Sequence, residues 1–168
     1  NRCAMYCRHC FRKRLIGLPN DELLRRFDDA ASYVRQQREI NNVLISGGDP
    51  FVLSTSVIAR FLEMLSDIQH LSFIRFGTRV PVTLPHRIID DPELLGLLRK
   101  HSSPQRRIFV VTQFNHPREI TEEAIAAIDC LMRSGIVVNN QTVLLKGVNV
   151  VRECFFSLQN NLASIGVN

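Results

Sequence analysis

The sequence predicts an α/β fold built on a parallel sheet or barrel, and three observations carry that prediction. Short apolar runs rich in β-branched residues alternate with longer segments whose apolar positions recur at three- and four-residue intervals. The loop markers that follow successive runs, Gly48, Gly77, Asn115 and Gly147, lie 29, 38 and 32 residues apart, the spacing of strand–helix units wound in one direction. Residues with binding chemistry collect in those same loops, and in such folds ligands sit at the carboxyl ends of the strands.

Taken in order, the chain opens on a site rather than an element. It reads Asn1-Arg2-Cys3-Ala4-Met5-Tyr6-Cys7-Arg8-His9-Cys10-Phe11-Arg12-Lys13-Arg14, with three of the five cysteines at C-x3-C-x2-C spacing and five basic side chains unaccompanied by a carboxylate. After a loop through Gly17 and Pro19, Asn20 or Asp21 caps a helix whose apolar positions, from Leu23 and Leu24 through Phe27, Ala30 and Ala31 to Val34, share one face. Asn42-Val43-Leu44-Ile45-Ser46 is the first strand. A continuous apolar run of this kind suits a strand covered on both faces, and it stops at Gly47-Gly48-Asp49-Pro50.

Ser54 or Thr55 starts the second helix, through Ile58, Phe61, Leu62 and Leu65, and the strand from Leu71 to Phe76 ends at Gly77-Thr78-Arg79. A Pro-rich loop from Pro81 to Ile89 leads to a helix opened by Asp90-Asp91-Pro92-Glu93, with Pro where its missing N–H costs nothing. A third strand from Ile108 to Thr112 precedes Phe114-Asn115-His116-Pro117, and Thr121 caps a helix running through Ile125, Ile128, Leu131 and Met132 to a stop at Gly135. The fourth strand is expected from Ile136 to Leu145, followed by a weaker amphipathic segment from Val150 to Ile165. The crossovers between parallel strands should be right-handed.

Composition narrows the classes. A net charge of +5 and 7% aromatics without Trp, with basic residues concentrated at positions 2 to 14, lack the basic stripe and interleaved aromatics of a nucleic-acid binder, so small anionic ligands explain the charge better. No apolar run approaches the ~20 residues of a membrane span and no signal peptide opens the chain, which makes the cytoplasm the expected compartment, with neither membrane nor nucleic acid as partner. An odd cysteine count with three clustered argues against a disulfide framework and for a metal site in a reducing compartment. The chain does not begin with Met and reads as a piece of a longer protein. The paired acids Asp28-Asp29, Asp90-Asp91 and Glu122-Glu123 fall in helices or at their starts, where dipole stabilisation explains them, and no catalytic side chain is nominated.

Three thiolates can occupy three irons of a 4Fe–4S cluster and leave one iron open for a small molecule, whereas an electron carrier usually supplies four. The alternative is a zinc site on Cys3, Cys7, Cys10 and His9. It is less favoured because Cys130 and Cys154 are solitary within helical patterns, as small core residues are, and supply no second C-x2-C half.

The C-x3-C-x2-C stretch resembles the signature of the radical S-adenosylmethionine (radical SAM) enzymes, and the longer C-x-M-Y-C-R-H-C-x-R-x-R resembles the lysine 2,3-aminomutase family. Colinear stretches agree: Ser46-Gly47-Gly48-Asp49-Pro50, Gly77-Thr78-Arg79-x-Pro81 with Pro85-x-Arg87-Ile88, Phe114-Asn115-His116-Pro117-x-Glu119-Ile120-Thr121, and Asn140-Gln141-x-Val143 on to Lys146-Gly147-Val148-Asn149. The resemblance implies one radical SAM core domain over 1–168. Its fold would be the partial, open parallel (β/α) TIM-like barrel of that type, truncated at both ends.

It also implies an isomerase that cleaves S-adenosylmethionine at a 4Fe–4S cluster to a 5′-deoxyadenosyl radical and moves an amino group from C2 to C3 of an L-amino acid held on pyridoxal 5′-phosphate. Cys3, Cys7 and Cys10 would ligate the cluster. His9, Gly47, Gly48, Asp49, Gln113 and Gln141 would hold S-adenosylmethionine, with Gln113 standing where many members carry His, and Arg12 would bind the substrate carboxylate through its planar fork. Arg79 and His116 are left open between ligand contact and loop ordering, and Arg87 leans to loop ordering. The Schiff-base lysine for pyridoxal phosphate, and the residues that choose among lysine, glutamate, arginine or a protein-bound lysyl group, fall outside this stretch. The partners implied are an amino-acid substrate and an external electron donor, with room for a homo-oligomer of the full-length protein. The alternatives are a radical SAM enzyme without pyridoxal phosphate, or a zinc-binding nucleic-acid module.

Overall fold

The computed structural model describes residues 2–16 and 20–168. Four parallel strands, β1 (Asn42–Ile45), β2 (Phe73–Gly77), β3 (Arg107–Thr112) and β4 (Val137–Asn140), lie side by side in chain order. Leu44 pairs with Arg75 and Arg75 with Phe109, and Phe109 in turn with Val137, so these four form one rung across the sheet. Between the strands run α1 (Asn20–Gln36), α2 (Thr55–Ser66), the short α3 (Val80–Thr83) and α4 (His86–Ile89), α5 (Pro92–His101) and α6 (Glu122–Arg133), with α7 (Arg152–Ser164) last.

Alternation decides which face is covered. Ile74 and Phe76 of β2, Ile108 and Val110 of β3 and Val138 of β4 are buried in one cluster with Ile58, Phe61, Leu62 and Leu65 of α2, Leu94 and Leu98 of α5, and Ile128 and Leu131 of α6. Phe27 of α1 joins it by stacking on Phe61 with ring centroids 4.1 Å apart. The opposite rungs stay open, with Leu44 47% and Phe73 39% exposed. Helices packed on a single face are the arrangement of a barrel wall, since a doubly wound sheet carries them on both. The sheet is open, and the expectation that β1 is covered on both faces is therefore corrected.

Helix starts follow the side chains that accept orphan N–H groups. Ser54 accepts from Val57 N, Asp91 from Leu94 N at 2.8 Å and Thr121 from Ala124 N, each contributing about 1 kcal/mol. Two expectations change. The Pro81–Ile89 stretch is two one-turn helices rather than a plain loop. β4 stops at Asn140 instead of continuing to Leu145, because the Asn140 amide bonds the main chain of Phe114, Oδ1 accepting at 2.7 Å and Nδ2 donating at 3.1 Å.

Candidate functional site

The cysteine segment lies over the carboxyl end of β1. It is folded by its own backbone, with Cys7 N donating to Met5 O, Cys10 N to Cys7 O and Lys13 N to Cys10 O. All three thiols are half-buried. Two tethers dock the segment: Asp49 N donates to Arg2 O at 2.9 Å, and Arg12 Nη1 donates to Ser46 Oγ at 2.7 Å. Cys3, Cys7, Cys10, Arg12, Gly47, Gly48 and Asp49 are thereby gathered at one strand end, although Gly48 lies 38 residues from Cys10 in the chain.

Asp49 is 4% exposed, and its carboxylate is already engaged. Oδ1 accepts from the Thr78 hydroxyl at 2.6 Å and from Phe51 N at 3.1 Å, and Oδ2 accepts from Arg79 N at 2.7 Å. Burial pushes its pKa up, partly offset by these bonds, and the group ends above the ordinary aspartate range. Asp49 holds the loop after β1 to the loop after β2 through these bonds. A small cleft is lined by Arg2 of the cysteine segment, by Ser46, Gly47 and Gly48 of the turn after β1, and by Phe27 and Phe61 of the helix layer.

Arg79, 9% exposed, is the residue on which the loops converge. Nη2 pairs with Glu119 Oε1 at 2.6 Å, Nε donates to Gln113 O at 3.2 Å, and Nη1 reaches Cys7 Sγ at 3.1 Å and Met5 Sδ at 3.3 Å. Glu119 Oε2 accepts from Asn115 N at 2.6 Å. Beyond it the Asn115 carbonyl accepts from Asn149 Nδ2, which also donates to Val143 O, pinning the loop after β4. From the sequence Arg79 stays open and Glu119 and Asn149 carry no role; the signal for them is that all three stand within the colinear stretches. Arg87 is a loop-ordering residue, bonded to Asp91, Thr55 and the Leu53 carbonyl, and His116 accepts from Arg118 N. Gln113 is half-buried and Gln141 exposed, at the ends of adjacent strands, with Gln141 N donating to Thr112 O.

Two observations test whether these residues fit an iron–sulfur cluster with a small molecule on it. The three half-buried thiols supply one ligand for each of three irons. His9 Nε2 is buried with no hydrogen-bond partner, a polar atom placed to meet a ligand beside the thiols. Burial pushes the Cys3 thiol above its ordinary range, offset in part by hydrogen bonding with the Met5 backbone; iron would reverse that balance because a ligating thiol is deprotonated. The donor set fits. Pyridoxal phosphate is not fitted by these residues: Lys13, Lys100 and Lys146, the three lysines, are all exposed, and none stands buried against the strand ends.

The sequence model of the radical SAM superfamily matches residues 1–153. The chain is 40% identical over 166 residues to the L-lysine 2,3-aminomutase of Clostridium subterminale, covering 98% of this chain and 38% of that protein. It is 45% identical over 151 residues to the L-lysine 2,3-aminomutase of Methanococcus maripaludis, covering 88% and 33% respectively. To the glutamate 2,3-aminomutase of Clostridioides difficile it is 38% identical over 168 residues, covering 99% and 38%. The chain thus spans less than half the length of each of these relatives. With its thiols, glycine pair and Arg12 gathered at one end of a one-sided parallel sheet, the chain belongs to the radical SAM superfamily and, within it, to the lysine 2,3-aminomutase family.

Proposed function

We propose that residues 1–168 form the S-adenosylmethionine-cleaving core domain of a cytoplasmic amino-acid 2,3-aminomutase, an isomerase. The observation that carries this reading is the double tether of the cysteine segment, Asp49 N to Arg2 O and Arg12 to Ser46, which places three thiols beside a glycine pair and an arginine fork. A 4Fe–4S cluster bound with S-adenosylmethionine supplies one-electron cleavage of the sulfonium and a hydrogen-abstracting radical. The side chains around that group come from this stretch. Cys3, Cys7 and Cys10 would hold three irons, the Gly47-Gly48 turn would border the methionyl group, and His9, Gln113 and Gln141 would border the nucleoside.

Arg12 takes the amino acid's carboxylate. Its Nη1 is engaged by Ser46, and among the described residues no partner occupies its remaining N–H groups, so the fork is positioned with donors to spare. Amino migration requires pyridoxal phosphate in the full-length protein, held by residues outside this stretch. The electron comes from an external donor. Among the described residues no helix is long and apolar enough to cross a membrane.

The test is anaerobic iron–sulfur reconstitution of the full-length protein, followed by incubation with S-adenosylmethionine, pyridoxal phosphate, dithionite and either L-lysine or L-glutamate. Formation of a β-amino acid from one of them is the expected result. Reductive cleavage of S-adenosylmethionine with no amino-acid product and no bound aldehyde would leave a radical SAM enzyme of another kind.

A further inference from the structure

Arg79 does more than order loops. Of the three clustered cysteines, Cys3 and Cys7 direct their thiols to the Met5 carbonyl, and Cys7 alone also receives an N–H from a charged group, Arg79 Nη1 at 3.1 Å. The guanidinium is held at two nitrogens, Nη2 by Glu119 and Nε by the Gln113 carbonyl, and Asp49 anchors the backbone N–H of the same residue. An arginine stays protonated even when buried, and its planar fork keeps Nη1 aimed once the other nitrogens are bound.

We propose that Arg79 raises the reduction potential of the cluster held by Cys3, Cys7 and Cys10 by donating Nη1–H to the Cys7 sulfur. The inference rests on the cluster reading of those thiols. A hydrogen bond to a cluster-ligating sulfur stabilises the more electron-rich state, because reduction adds negative charge that spreads onto the sulfurs. Glu119 sets the size of this effect by offsetting part of the arginine's charge, so the pair is a tuned dipole rather than a bare cation. The couple is one-electron: an added reductant supplies the electron, no proton moves, and Arg79 keeps its charge throughout.

The experiment is an EPR-monitored redox titration of the reconstituted full-length protein, wild type against Arg79→Lys and Glu119→Gln. Lysine keeps the charge but loses the fork, and a lower potential is expected, by at least the tenfold change in the reduced-to-oxidised ratio that corresponds to about 59 mV for one electron. Glu119→Gln removes the offsetting charge and shifts the potential the other way. A loop-ordering role alone would lower stability in both variants without opposite shifts.

A second readout leaves Arg79 and Glu119 unchanged. Pulsed EPR of the reduced cluster in protein labelled with ¹⁵N-arginine should show a nitrogen coupling that survives Arg2→Lys, Arg8→Lys and Arg12→Lys together. A wild-type cluster that forms but shows neither the coupling nor the opposed shifts overturns the role of Arg79 alone. A wild-type protein that binds no iron overturns the cluster reading and this inference with it.

Discussion

The Asp49 carboxylate accepts a 2.6 Å hydrogen bond from the Thr78 hydroxyl, both residues 4% exposed, and so ties the turn after β1 to the turn after β2 across 29 residues of chain. The same carboxylate holds Arg79 N and Phe51 N, and Thr78 Oγ1 in turn accepts from Val80 N. Asp49→Ala would strand three buried donors. It should cost about 3 kcal/mol, on the order of 10 °C in Tm, and Thr78→Val about half as much, both read by thermal unfolding. Equal stability of Asp49→Ala and wild type would remove Asp49 from the architecture of the site and leave its carboxylate free to meet a ligand.

Arg12 combines a tether and a fork. Arg12→Ala should raise the amino-acid KM by about 10- to 100-fold, the worth of a charge-assisted bidentate contact, while S-adenosylmethionine cleavage by the reduced protein proceeds. Steady-state kinetics beside a 5′-deoxyadenosine assay separates the two. Equal loss of both would reassign Arg12 to holding the cysteine segment through Ser46.

Asp91 gives a pH signature. Burial pushes its pKa up, but bonds from Thr55, Leu94 N and Arg87 outweigh this, and it ends below the ordinary aspartate range. A depressed carboxylate stabilises the fold above its unfolded pKa and loses that contribution as pH falls through the folded value. Asp91→Asn, which keeps the cap but loses the charge paired with Arg87, should therefore be less stable than wild type at pH 7, by up to about 1 kcal/mol. The gap should close below the ordinary aspartate range, as measured by urea unfolding at neutral and acid pH. A gap that widened in acid would contradict the assignment.

Gly166 closes α7 with the hydrogen bonds Gly166 N to Ala163 O and Val167 N to Leu162 O, at a φ of +80°. A methyl there would also meet the Met132 Cε at 2.5 Å, a flexible end that can move aside. Gly166→Ala should cost about 1–2 kcal/mol from the backbone alone, seen in chemical unfolding. An unchanged midpoint would mean that the left-handed turn is dispensable.

Much of this arrangement is legible in the sequence, and what is not shares one cause. Strand and helix periods and helix starts near Ser54, Asp91 and Thr121 follow from local pattern, and the grouping of Cys3–Arg14 with the turn after β1 follows from the family resemblance. The early end of β4 is hidden because Val143, Leu144 and Leu145 extend the apolar run, while the decision rests on Asn140 bonding Phe114 and Asn149 bonding Val143 and Asn115, contacts that mostly pair residues far apart in the chain. The open face of β1 is hidden similarly, since Leu44 is as apolar as a covered residue and only its neighbours decide. Arg79 and Glu119 look like any solvated pair until the fold brings the loops after β2 and β3 together.

The cluster assignment of Cys3, Cys7 and Cys10 is what the rest depends on, and iron and acid-labile sulfide in the anaerobically reconstituted full-length protein measure it directly. About four of each per chain are predicted, consistent with one 4Fe–4S cluster, in a brown protein with visible charge-transfer absorption, and both should be lost when the three cysteines are replaced together by serine. Iron content unchanged by that replacement, or a colourless protein carrying a single zinc lost with the same three thiols, would contradict it.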